Sequence, residues 1–197
     1  LNIKKLNKMV RVFPDTNLLS HGLRKVYVGV DSNLFNSVYA SQKSANWCWA
    51  ACIEMITRYY GVPVDQKHFA QAYCGIDFFG NAKDCPAPVD IITENLNLRW
   101  KTHQLSSCVK YGAVVVAYAQ NPQKGHAVLI TGLSYQETIL GESLSSIIVR
   151  DPDPNYLNKI MGGRKEYSSD AQLFLNSIYA WWVPNMRTYV NPIPQFG

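Results

Sequence analysis

Four residues have the types and spacing to do covalent chemistry together: Gln42, Cys48, His126 and Asp151. A cysteine attacks a carbonyl only as the thiolate, and the free N–H groups and aligned dipole at a helix N-terminus favour that anion. From Cys48 onward the apolar residues fall at helical spacing, with Cys48, Cys52, Met55, Ile56 and Tyr59 on one face. The pattern predicts a buried helix that starts at Cys48, runs to Tyr60 and stops at Gly61 and Pro63, with Ser44 or Asn46 as its cap. An imidazolium beside the sulfur would stabilise the thiolate further. Gln42, six residues before Cys48, carries an amide N–H₂ that could join the Cys48 N–H in holding an oxyanion.

The base and its orienting group are expected on strands. His126 opens the apolar run to Leu133, and a second run, Ser146 to Arg150, leads into Asp151. If 126–133 and 144–151 form a hairpin centred between Thr138 and Ile139, positions 126 and 151 face each other. Asp151 could then accept from one imidazole nitrogen and leave the other for Cys48. Each residue also has an ordinary reading: a packed thiol, a structural histidine, a turn-forming Asp before Pro152, a loop glutamine. Their combination is what points to nucleophilic catalysis. Asp153 competes with Asp151 for the orienting role.

These strings resemble the signature of papain-like cysteine peptidases. Gln42, five residues, then Cys48-Trp49-Ala50 is similar to the family's oxyanion glutamine and nucleophile. The fuller Trp47-Cys48-Trp49-Ala50-Ala51-Cys52-Ile53-Glu54-Met55-Ile56 resembles the bacterial branch that includes C39-like and AvrRpt2-like peptidases. Gly125-His126-Ala127-Val128 resembles the family's Gly-His-Ala-Val base motif, and Asp151-Pro152 its Asp-Pro pair. The resemblance covers about residues 42–183. It implies a papain-like α+β fold, with a central nucleophile helix packed on an antiparallel sheet. It also implies Cys48 as nucleophile, His126 as base, Asp151 as orienter, Gln42 in the oxyanion hole, and a protein or peptide as substrate. An inhibitor or pro-segment partner, bacterial origin and export are further implications. The same residues would serve an amidase, deamidase or transpeptidase, and the fold also serves non-catalytic peptide recognition.

The remaining elements are expected to position these groups. Asp65 can cap a second helix through Tyr73, and Pro88 can open a third through Leu96. Leu98–Thr102, Ala113–Tyr118 and Ile178–Val183 read as further strands. Helices followed by sequential strands indicate α+β with a largely antiparallel sheet. Residues 1–40, with a short strand at Lys25–Val30, read as an N-terminal extension, either a pro-segment or a peripheral arm, ahead of a peptidase domain at 41–197.

Composition narrows the alternatives. The chain has 197 residues, of which 47% are hydrophobic, enough for one well-buried core. Its net charge of +5 comes from scattered Lys and Arg, so no nucleic-acid stripe is expected. The longest apolar runs are far too short for a membrane span. Cysteines and histidines are present, but no Cys-x2-Cys or His-x3-His pair is, so neither a metal site nor a cofactor is expected. Cys74 and Cys85 flank the loop Gly75 to Asp84; a disulfide there would stabilise by roughly 2–3 kcal/mol and would need an oxidising compartment. Trp47 and Trp49 bracket the nucleophile, either as packing or as a wall for an apolar substrate side chain.

Overall fold

Strand β4 (Lys124–Thr138) organises the molecule. The computed structural model describes residues 10–14, 24–87, 114–121, 124–138, 141–155 and 161–182. The helix expected from Pro88 and the strand expected at Leu98–Thr102 lie outside these, as do His21, His103 and Cys108. β5 (Gly141–Arg150) runs antiparallel along one edge of β4, from Leu129↔Arg150 to Thr138↔Gly141. β3 (Val114–Asn121) pairs with β4 over 124–130, and β2 (Arg24–Val30) over 132–137. Both stretches overlap the one taken by β5, so β2 and β3 share the opposite edge end to end. β1 (Val10–Pro14) extends β2, β6 (Arg164–Tyr167) extends β5, and β7 (Ile178–Trp182) extends β3, giving a seven-stranded antiparallel sheet among the described residues.

Helices cover both faces, as the period-two alternation of the strands requires. Val115, Ala127 and Leu129 join the cluster of α2 (Cys48–Tyr59), which includes Trp49, Cys52, Met55 and Ile56. Val116, Val128 and Ile130 point the other way, to Phe174 and Leu175 of α4 (Ala171–Ser177). Every residue of α2 except Cys48 and Arg58 is buried, which marks it as a central helix rather than a surface one. Gly61, at φ 81°, ends it in the left-handed region, and the Val62 N–H returns to Thr57 O at 2.8 Å. Its start differs from expectation. Trp47 is the N-cap and makes no side-chain cap bond, because Asn46 gives its N–H and its amide to the Asp84 carboxylate at 3.0 and 3.2 Å. α3 (Gln66–Cys74) is capped by Asp65, which accepts from Lys67 N.

Two further expectations are corrected. Residues 24–40 are not peripheral: β2 is bonded to β4, Val30 and Ala40 are buried in the α2 cluster, and Phe35 of α1 (Ser32–Ser37) is completely buried against Tyr59, ring centres 5.1 Å apart. The β4–β5 register also differs from that of a turn centred between Thr138 and Ile139. The last pair is Thr138↔Gly141, so the ladder is shifted by two positions, and the side chains keep their faces. Two bulges interrupt it, with Thr131 extra on β4 and Ser145 extra on β5, and they cancel. Each bulge switches the alternation, which is why Ile130 and Leu133, like Leu144 and Ile147, turn to the same cluster.

Candidate active site

Cys48 is the first residue of α2 and is half-buried, with its sulfur at the end where the helix N–H groups are unpaired. His126 lies near the start of β4, 7% exposed, with its ring edge-on to Tyr118 at 5.9 Å. His126 Nε2 is 2.7 Å from Asp151 Oδ1, and the ring lines the same cleft as Cys48. With Nε2 on the carboxylate, Nδ1 is the nitrogen left for the sulfur. Asp151 does not face His126 across the ladder. It is the residue after the last β5 pair, Leu129↔Arg150, and its carboxylate reaches back past the strand end.

Asp151 is held on several sides. Its N–H donates to Gly163 O at 2.9 Å, its carbonyl accepts from Tyr39 Oη at 2.9 Å, and its Oδ1 also accepts from Asp153 N at 2.9 Å. The preceding Arg150 is fully buried and bonds Asn36 Oδ1 at 2.6 Å, Ser32 O at 3.3 Å and Gly162 O at 3.3 Å, tying this strand end to α1. Asp153 lines the cleft but makes its own turn, accepting from Asn155 N.

The electrostatics couple these groups. Burial pushes the His126 imidazole down, but the hydrogen bonds to Asp151 and Cys48 and their charges outweigh it and raise the group to about 9. Cys52, one turn along α2, is fully buried; burial first, and then the charges of Cys48 and Asp151, hold its thiol well above the usual range. Cys52 therefore stays protonated and packs as a small apolar residue.

Gln42 lines the same cleft as Cys48 and His126. Its backbone N–H donates to Pro152 O at 2.8 Å, which joins it to the Asp151 loop. Its amide nitrogen donates to Ser44 O at 3.1 Å and Ala45 O at 3.0 Å, and its Oε1 is buried with no hydrogen-bond partner among the described residues. The tryptophans separate. Trp49 lines the cleft, its indole donating to Cys85 O at 3.2 Å, whereas Trp47 is buried and donates to Lys83 O at 3.1 Å without lining the cleft. Both indoles grip the loop closed by the Cys74–Cys85 disulfide, and Pro86 and Ala87 carry that loop on into the cleft wall.

Several contributors had no readable signal in sequence. Tyr39 and Arg150 act through contacts more than a hundred residues away. Tyr179 lines the cleft and covers Gly125: a Cβ built there would fall 2.1 Å from its hydroxyl, so a larger residue before His126 would displace the Tyr179 side chain. Among the described residues no group of three or more His, Cys, Asp or Glu side chains could hold a metal ion, and no helix is long and apolar enough to cross a membrane.

A central helix packed on an antiparallel sheet, with a cysteine at the helix start and a histidine on the sheet, is the architecture of the papain-like class. Residues 35–167 match the model of the Peptidase_C39 like family, and the chain belongs to that family. No curated protein matches the chain.

Proposed function

We propose that the protein hydrolyses amide bonds in peptides or proteins through a thioester on Cys48. The observation that carries this reading is that Cys48 and His126 line one cleft while His126 is hydrogen-bonded to the buried carboxylate of Asp151. Membership of a peptidase family supports the same chemistry. The Cys48 thiolate attacks the carbonyl carbon. The Cys48 N–H and the Gln42 amide hold the oxyanion; Ser44 O and Ala45 O are successive carbonyls that can share one amide hydrogen, freeing the other. The imidazolium of His126 gives its proton to the leaving amine, and the neutral ring then takes one from the water that cleaves the thioester. Asp151 keeps the ring oriented throughout. The Cys74–Cys85 bridge suits an oxidising compartment, in keeping with an exported enzyme.

Two probes test this without a known substrate. Iodoacetamide alkylates the sulfur directly, whereas p-nitrophenyl acetate must pass through a tetrahedral oxyanion on the way to acetyl-Cys48. Wild type should react rapidly with both at Cys48, including below neutral pH, and His126→Ala should lose the acidic limb. A Cys48 that alkylates no faster than an ordinary thiol, or is indifferent to His126, overturns the reading. Peptide or casein digestion products, read by mass, then separate chain cleavage from deamidation.

A further inference from the structure

Gln66, the first residue of α3, is completely buried and its amide is fully engaged. Its Oε1 accepts from Lys43 N at 2.8 Å and its Nε2 donates to Ser41 O at 2.9 Å. These two groups flank Gln42 on the chain, so the side chain pairs with the backbone around Gln42 as a neighbouring strand would. On the far side, Gln42 N donates to Pro152 O. The peptide of Gln42 is thus clamped between Gln66 and the loop that carries Asp151.

The direction of the clamp is set by the nucleophile helix. Gln66 Nε2 also donates to Glu54 Oε2 at 2.7 Å, and Gln66 N approaches the same oxygen at 3.3 Å. Glu54 is completely buried and its other oxygen pairs with Arg58. A carboxylate only accepts, so it forces the nitrogen of the Gln66 amide to its own side and the oxygen towards Lys43 N. A flipped amide would set oxygen against the Glu54 carboxylate and the Ser41 carbonyl, and nitrogen against the Lys43 N–H. Lys43 is further tied to Asp65, the cap of α3, by an ion pair.

We propose that Gln66 is a positioning residue for the oxyanion half of the site: held in one orientation by Glu54, it fixes segment 41–43 and so the reach of Gln42 to the carbonyl attacked by Cys48. The inference rests on the thioester reading above. It assigns a job to a buried Glu–Gln pair that touches neither Cys48 nor His126 in any bond described.

The test compares Gln66→Met, Gln42→Ala and the double variant in the two reactions of Cys48. Acetylation transfers the acetyl group to sulfur and expels p-nitrophenolate through an oxyanion, while alkylation by iodoacetamide forms no oxyanion. Gln66→Met should slow acetylation by about tenfold, and alkylation by less than about twofold, given the size of single oxyanion-donor losses. In the Gln42→Ala background the same substitution should change acetylation by less than about twofold, because the two residues act as a unit. Parallel loss of both reactions, or an undiminished effect in the Gln42→Ala background, overturns the proposal. A Gln42→Ala variant that acetylates normally also overturns it and removes Gln42 from the mechanism, whereas a wild-type Cys48 of ordinary reactivity defeats the thioester reading itself. If Gln66→Met does not fold, Glu54→Gln, which frees the Gln66 amide to flip, gives the same selective loss of acetylation or refutes the idea.

Discussion

The imidazole of His126 and the carboxylate of Asp151 meet at 2.7 Å although no strand pair joins the two residues. The contact depends on how Asp151 leaves β5, not on the ladder. Asp151→Ala should therefore lower acetylation of Cys48 by roughly 10²-fold or more, the scale of lost acid–base assistance. Asp153→Ala, two residues on and turned into its own loop, should change it by less than about threefold. Burst kinetics with p-nitrophenyl acetate read both, and equal losses would reassign the orienting role.

The pH dependence of stability follows from His126. Its folded value, about 9, lies above the ordinary 6.5, because the bonds to Asp151 and Cys48 outweigh burial. The folded state thus holds the proton more tightly than the unfolded chain. The resulting stabilisation is complete below about pH 6.5 and is lost as pH rises through about 9. Urea unfolding of wild type and His126→Gln across that window should show their difference shrinking with pH. A difference that grows with pH would place the neutral imidazole in the folded protein.

Gly163 stands where Asp151 is held. It has φ of 64°, and a Cβ there would lie 2.4 Å from both Asp151 O and the Tyr39 ring. Gly163→Ala should destabilise by about 2–4 kcal/mol, combining left-handed strain with overpacking, and should slow acetylation as well. Gly61→Ala is the control. Its φ is 81° but nothing lies within 4 Å of the new carbon, so only the strain of about 1–2 kcal/mol remains and acetylation is unaffected.

Phe35 tests whether the segment before position 41 belongs to the core. Phe35→Ala should cost about 3–5 kcal/mol in chemical unfolding, as for other fully buried aromatics. Removal of residues 1–40 should yield a chain without cooperative unfolding. A stable, more active truncation would restore the pro-segment reading.

The 74–85 bridge closes a loop on which both indoles beside Cys48 rest. Cys74→Ser with Cys85→Ser should lower stability by about 2–3 kcal/mol and shift tryptophan emission towards the exposed range. Unchanged emission would mean that the loop keeps its grip without the bond.

What could be read in advance was local. The start of α2 at Cys48, its stop at Gly61 and the Asp65 cap each depend on a few adjacent residues. β3, β4 and β5 were legible from alternation, but their register was not. Ile139 and Leu140, which carry no turn signature, separate the last pair, and two bulges of opposite sense lie in the ladder. β2 was misjudged as peripheral because its partner in β4 lies about a hundred residues away. α4 and β6 went unread: Ala171–Ser177 is a short segment before a stronger strand pattern, and Arg164–Tyr167 is too polar to register as a strand. In the site, Gln42, Cys48, His126 and Asp151 were findable by residue type and spacing, whereas Gln66 and Glu54 look like surface residues of two helices until tertiary packing turns them towards each other.

The split of the site between two layers has a consequence for biogenesis. Cys48 opens α2, made early in the chain, whereas His126 on β4 and Asp151 just past the end of β5 are made later. On the thioester reading, a nascent or half-assembled chain would hold the sulfur without its base, and its thiol would have ordinary reactivity. On that reading, nucleophilic power would arise only when the sheet docks on α2, and the emerging polypeptide would be harmless to itself until then.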